Sequence, residues 1–373
     1  MRPYIIKSVM VLCLLLFSNC EKETVQNIDV EAEIMAEMAE RNIPSVAACI
    51  IKGDEIVWEK YFGFADVGKS IPATWETIYP MMSISKLVLS TAIMQLWEQG
   101  LIDLNEDINT YLPFEVRNPK FPDSKISSHM LLNHTSGLAW PEEEDRIPDF
   151  YHFYPDSEVP LLRDWIPGYI IPGRQQYNDN VWKNFKPGEN ELYSNIGTAL
   201  LALVLEEITQ MDFRDYSQEN ILEPLMMHNS SYRLNGYERE KLATPYHSNN
   251  HPFEPYILRA YPVGSLHSNL RDFSHFVIAI MNQGKYKGKQ ILKTETMEKM
   301  FEIQNPESGI SNLWWHSYGG AIGHDGGGTG YSMRSEMFIN KNMGLIVLSN
   351  KVNSSVRSGG RIHELVRFQC NMY

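Results

Sequence analysis

The 373-residue chain contains only four cysteines and no Cys-x-x-Cys, His-Glu-x-x-His or His-x-His spacing. Neither a disulfide framework nor a metal site is therefore written into its local pattern, and no cofactor is expected. Positive charge is also scarce. Lys and Arg total 33 against 46 Asp and Glu, a formal charge of −13. Without a basic cluster the chain cannot neutralise a phosphate backbone, so no nucleic-acid partner is expected. The Gly-x-Ser-x-Gly elbow of α/β-hydrolases is missing, and no Gly-Lys-Ser/Thr follows the glycine run at 323–330, which therefore does not read as a phosphate loop. What is present suits a large packed core, with 43% hydrophobic and 11% aromatic residues, too apolar for a disordered chain.

Arg2 and Lys7 precede an uncharged apolar run from Val9 to Phe17. Such a run is too short for the ~20 residues needed to span a bilayer but suits the core of a secretory signal. It ends at Cys20 and gives way to Glu21-Lys22-Glu23-Thr24, which resembles a bacterial lipoprotein signal. The expectation is a signal over 1–19, a tether over 20–28, lipid on Cys20, and export to the cell envelope with the membrane as anchor. Cys13 then leaves with the signal, and Cys49 and Cys370 are expected as two buried thiols.

Val30, Ile34 and Met38 recur on one helical face within 29–41. Ser45–Ile51 and Glu55–Gly63 are β-branched and aromatic runs around Lys52-Gly53-Asp54, a hairpin pattern. Ile84–Gln99 and Ile196–Ile208 are apolar all round, which predicts helices buried on every side. Residues 138–190 carry many aromatic and proline residues with little periodicity. Trp140, Trp165, Trp182, Tyr151 and Tyr154 there either line a cleft or form a local aromatic core. Asn269 and Asp272 open a further helix. Tyr331–Ile339 and Gly344–Ser349 predict a second hairpin, and an amphipathic helix around Ile362, Leu365, Val366 and Phe368 closes the chain. Strands at both ends with helices between them predict one sheet assembled from the two termini around a helical insertion.

Chemistry concentrates in three places. Ser83-Ile84-Ser85-Lys86 opens the first buried helix, where a spacing of three puts amine and hydroxyl on one face. Helix N-terminal N–H groups suit a developing oxyanion, and desolvation among Leu87, Val88, Leu89 and Ile93 disfavours the charged form of Lys86. Tyr193-Ser194-Asn195 precedes the second buried helix, offering a phenol for proton relay and an amide to orient a lysine or a carbonyl. Gly323-His324-Asp325-Gly326-Gly327-Gly328-Thr329-Gly330 leads into the second hairpin, its glycines letting substrate approach the backbone.

Together these elements resemble the serine β-lactamase and D,D-peptidase family, in the branch grouped with class C β-lactamases and broad esterases. The likeness covers nearly the whole mature chain. Leu131-Leu132-Asn133-His134-Thr135-Ser136-Gly137-Leu138, Leu96-Trp97-Glu98-Gln99-Gly100-Leu101, Pro224-Leu225-Met226 and Pro262-Val263-Gly264-Ser265-Leu266 look like its intervening stretches, with His134 a structural helix-end residue. The resemblance implies an α/β (α+β) fold, a mainly antiparallel sheet flanked by N- and C-terminal helices. It implies one catalytic domain over 29–373, its sheet part about 29–80 and 255–373 and its helical part about 81–254. It implies a serine hydrolase acting through an acyl-enzyme on an amide or ester of a small-molecule or peptide substrate. Ser83 would be the nucleophile, and Lys86 and Tyr193 would share the base and acid roles. Asn195, His324, Gly326 and Gly327 would contact substrate, with the N–H groups of Ser83 and Gly327 as oxyanion hole. His324 stands where β-lactamases of this branch usually have lysine, which moves weight from antibiotic hydrolysis toward peptidase-like or esterase-like activity. A lipoprotein sensor that binds penicillin without turning it over is the alternative from another class.

Overall fold

The computed structural model describes residues 28–139, 150–155, 158–305, 310–311, 316–318 and 320–373. The signal, Cys20 and Trp140 lie outside the described residues. Helix α1, Val30–Glu40, starts at Asp29, whose carboxylate accepts from the Ala32 N–H at 3.1 Å, and buries Val30, Ile34 and Met38. Strands β1 (Ser45–Lys52) and β2 (Glu55–Asp66) follow as the expected hairpin. β1 is buried on both faces, which explains its continuous apolar run instead of an alternating one.

Among the described residues nine strands form one sheet. Its remaining members are β3 (Ile71–Pro72), β4 (Ile303–Asn305), β5 (Ile310–Ser311), β6 (His316–Tyr318), β7 (Ala321–Gly328), β8 (Tyr331–Phe338) and β9 (Met343–Ser349), in the order β4-β5-β6-β7-β8-β9-β1-β2-β3. All pairings in it are antiparallel, and β1 lies beside β9 in the register Val46↔Ser349 to Lys52↔Met343. The two ends of the chain thus meet in the middle of the sheet.

Alternation along β1 divides the core. Val46, Ala48 and Ile50 face α1 and the C-terminal helix α5 (Arg361–Cys370), whereas Ala47, Cys49 and Ile51 face the main apolar mass. That mass contains α2 (Ser85–Glu98), α3 (Asn195–Thr209) and α4 (Leu270–Met281), the last capped by Asn269 as its sequence indicated. Every residue of α2 from Ser85 to Leu96 is buried. Each buried Leu, Ile or Val there contributes about 1.5–3 kcal/mol, so packing on every side anchors α2 beneath the residues at its head.

Cys49 and Cys370 are buried and free. Trp165 and Trp182 resolve the open aromatic question for themselves. Both are core residues, and the Trp182 indole N–H donates to the Ile170 carbonyl at 2.8 Å. Tyr151 instead reaches the end of β7, its hydroxyl 2.8 Å from Thr329 Oγ1, and Tyr154 packs partly buried against the core.

Candidate active site

Ser83 sits in a single 3₁₀ turn, Met82–Ile84, that runs directly into α2. Met82 adopts φ 45°, a left-handed conformation that a side chain enters at a cost of about 1–3 kcal/mol. Glycine at 264 relieves the crowding beneath it, because a Cβ there would stand 3.0 Å from Leu258 Cδ1 and 3.5 Å from the Met82 backbone. The strained residue aims Ser83 out of the core while Ile84, Ser85 and Lys86 turn in.

Lys86 Nζ lies 3.0 Å from Ser83 Oγ and donates to the Val263 carbonyl at 2.9 Å. Its side chain is fully buried, and desolvation holds its pKa well below the ordinary 10.5. No carboxylate compensates it within ion-pair distance among the described residues. Tyr193 donates from its hydroxyl to Ser83 Oγ at 2.9 Å, and Lys86 Nζ lies 5.0 Å from the centre of the Tyr193 ring. Tyr193 keeps part of its surface exposed, but burial around its hydroxyl pushes its pKa up to about 12. The Ser83 hydrogen bond and the Arg357 charge only partly oppose that rise. The two partners of Ser83 are therefore set apart at neutral pH: a lysine biased to the free amine and a phenol that keeps its proton.

The glycine run divides its labour by strand parity. A Cβ on Gly326 would fall 2.8 Å from the Met81 carbonyl oxygen and 2.4 Å from Met333 Cγ, and one on Gly328 would fall 2.0 Å from Met82 Cε. These two glycines let β7 lie flat against the turn that carries Ser83. Gly326, expected to contact substrate, thus has a packing task. Of the three consecutive glycines, Gly327 points the other way, where its nearest neighbour is the Arg357 guanidinium at 3.5 Å.

His324 is buried, its Nδ1 beside the Asp325 carbonyl, with its ring 6.5 Å from that of Tyr193. Asn195 opens α3, and its buried Oδ1 has no hydrogen-bond partner among the described residues. The second acceptor for Lys86 is Val263 and not this amide. His134, buried with φ 59°, accepts from the Ser194 N–H at 3.2 Å and packs its ring 4.6 Å from Tyr193. It keeps its structural role but exercises it on a site residue.

Two contributors were not foreseen. Val263 lies in the Pro262–Leu266 stretch already marked as family-like, a usable signal, but a backbone acceptor leaves no mark in residue type. Arg357 lies in Ser354–Gly360, a segment without a motif. Its place beside Gly327 comes from the loop between β9 and α5 folding back over β7, where the Ser358 N–H donates to Asp325 at 3.0 Å.

Comparison with known proteins agrees with this geometry. The family model described as "Beta-lactamase" matches residues 30–366. The chain is 24% identical over 332 residues to "Protein flp" of Staphylococcus aureus (strain MRSA252), covering 86% of this chain and 62% of that protein. It is 25% identical over 324 residues to "Penicillin-binding protein 4*" of Bacillus subtilis (strain 168), covering 80% and 66%. The chain thus spans less than two thirds of the length of either relative. Among solved structures, an octameric penicillin-binding protein homologue from Pyrococcus abyssi superposes with a TM-score of 0.71 at 26% identity, over 86% of this chain and 72% of that one. A class C beta-lactamase superposes with a TM-score of 0.72 at 19% identity, over 91% and 96%, a likeness of fold.

Proposed function

This chain belongs to the beta-lactamase family, whose members are serine hydrolases, and we propose that it is itself a hydrolase that forms an acyl-enzyme on Ser83 with an amide or ester substrate. The observation that carries the reading is the placement of one hydroxyl, Ser83 Oγ, between a desolvated amine at 3.0 Å and a protonated phenol at 2.9 Å. Lys86 takes the proton of Ser83 as Oγ bonds to the substrate carbonyl carbon. The carbonyl oxygen becomes an oxyanion between the N–H groups of Ser83 and Gly327, where one donor is typically worth 10²–10³ in rate. Tyr193 gives its proton to the leaving nitrogen or oxygen as that bond breaks, and the Lys86 ammonium reprotonates the phenolate. Water, deprotonated by the same pair, then releases the acid and frees Ser83.

Arg357, beside Gly327, favours a substrate carrying a carboxylate near the scissile bond. His324 stands where β-lactamases of the branch usually have lysine, so Arg357 is the permanent cation available to that carboxylate, and the departure moves weight toward peptidase-like or esterase-like activity. A lipid on Cys20 would hold this chemistry at the cell envelope. The deciding experiment is labelling of the mature protein with a fluorophosphonate or a fluorescent penicillin, which Ser83→Ala abolishes if the reading is right. Labelling that survives the substitution removes Ser83 as nucleophile. A panel of esters, D-Ala-D-Ala peptides and cephalosporins then ranks the substrate classes.

A further inference from the structure

Glu206 takes part in no step above, yet it is a carboxyl with 1% exposure inside the same helix whose head bears Asn195. Burying an acid is unfavourable unless donors surround it. Here Oε1 accepts from the Phe213 N–H at 3.0 Å and from the Tyr261 hydroxyl at 2.7 Å. The Arg214 guanidinium lies 4.5 Å from the centre of the Tyr261 ring and is itself held by Asp212 at 2.6–2.8 Å. Tyr261 is the first residue of the 3₁₀ turn Tyr261–Val263, and its own carbonyl accepts from the Ser265 N–H at 3.0 Å. The last residue of that turn is Val263, whose carbonyl receives the Lys86 amine.

A continuous set of contacts therefore runs from the interior of α3, through one phenol and one turn, to the base. We propose that Glu206 and Tyr261 are positioning residues that fix the Val263 carbonyl and, through it, the direction of the Lys86 amine. This rests on the reading of Lys86 as base. The physical need is specific. A free amine has one lone pair, and Val263 must hold one N–H for that lone pair to face Ser83. Displacements of ~1 Å far from the chemistry can cost ~10² in rate. Burial raises the Glu206 pKa to about 7 against the pull of its two hydrogen bonds, so its oxygen serves as an acceptor in either protonation state.

The test measures the fluorophosphonate labelling rate of the full mature protein across pH for wild type, Tyr261→Phe and Glu206→Gln, with thermal unfolding of each. Gln keeps an oxygen for both donors, so E206Q is expected within about threefold of wild type. Y261F is expected to label roughly 10–100-fold more slowly on the plateau while remaining folded at assay temperature. Its acid limb should also move to lower pH. Withdrawing the Val263 carbonyl removes an acceptor for the ammonium and makes Lys86 still harder to protonate. A purely structural role would lower the unfolding temperature without moving that limb. Should Y261F fail to fold, the double variant E206Q/Y261F, which leaves no buried charge, reads the same displacement. Ser83-dependent labelling with an unchanged rate and acid limb in Y261F, or in E206Q/Y261F where that variant is used, overturns the positioning role alone. Labelling that survives Ser83→Ala overturns the site reading itself.

Discussion

Replacing Lys86 by methionine separates catalysis from stability more sharply than any other change in this site. Methionine keeps most of the volume and suits a helix, so α2 retains its packing, whereas alanine would leave a cavity. Loss of a positioned base costs ~10²–10⁴ in rate, or about 3–5 kcal/mol of barrier. Stability should move the other way. The substitution leaves the buried Val263 carbonyl without its donor, a loss of about 1–3 kcal/mol. It also removes a fully buried amine whose charged form carries a penalty of several kcal/mol. The larger effect wins, and K86M should be the more stable protein at neutral pH.

The pH dependence follows from linkage. The folded-state pKa of Lys86 is depressed below the unfolded 10.5, so the unfolded chain binds more protons and wild-type stability rises with pH between those two values. The advantage of K86M should accordingly be greatest on the acid side and reverse before pH reaches 10.5, where only the lost Val263 hydrogen bond remains. The assay is a pair of curves: fluorophosphonate labelling rate and chemical unfolding midpoint, each against pH. A variant that labels within about tenfold of wild type would show that the base lies elsewhere. One that is less stable at every pH would show that Lys86 is not held in a desolvated state.

Strand parity yields a second prediction. Gly326→Ala places a methyl 2.8 Å from the Met81 carbonyl, where no flexible side chain can yield, whereas Gly327→Ala meets only the end of Arg357 at 3.5 Å. G326A should lose about 1–3 kcal/mol from overpacking and pull β7 away from Ser83, with a labelling loss larger than that of G327A. The reverse ranking by differential calorimetry and labelling would contradict the assigned packing. Arg357→Ala should raise KM for a carboxylate-bearing ester roughly tenfold over its neutral counterpart at unchanged kcat, consistent with loss of one charge-assisted hydrogen bond. Equal effects on both esters would exclude Arg357 from recognition.

Much of the architecture is present in the order of apolar residues. The four-residue recurrence of Val30, Ile34 and Met38, the Asn269 cap and the hairpin joining Tyr331–Ile339 to Gly344–Ser349 each act over a few residues, so each appears in the structure at its expected place. The Ser83–Lys86 pairing is legible for the same reason, since one helical turn brings them together. Tyr193 came within reach only because three separate motifs shared a family pattern; 110 residues of chain lie between it and Ser83.

What local pattern could not carry is every contact made by backbone or by packing between distant segments. The Val263 carbonyl carries no side-chain signature, the parity of Gly326 and Gly327 depends on which face of β7 meets Met81, and Arg357 reaches the site because the β9–α5 loop returns over the sheet. The amino-acid order by itself determined the elements, the buried helix and the Ser83 hydroxyl with its neighbouring amine, because those follow from periodicity and short-range geometry. Tertiary structure alone decided which carbonyl receives that amine, which glycines pack on the Ser83 turn and which cation lies beside Gly327, because such choices arise only when surfaces far apart in the chain are pressed to contact.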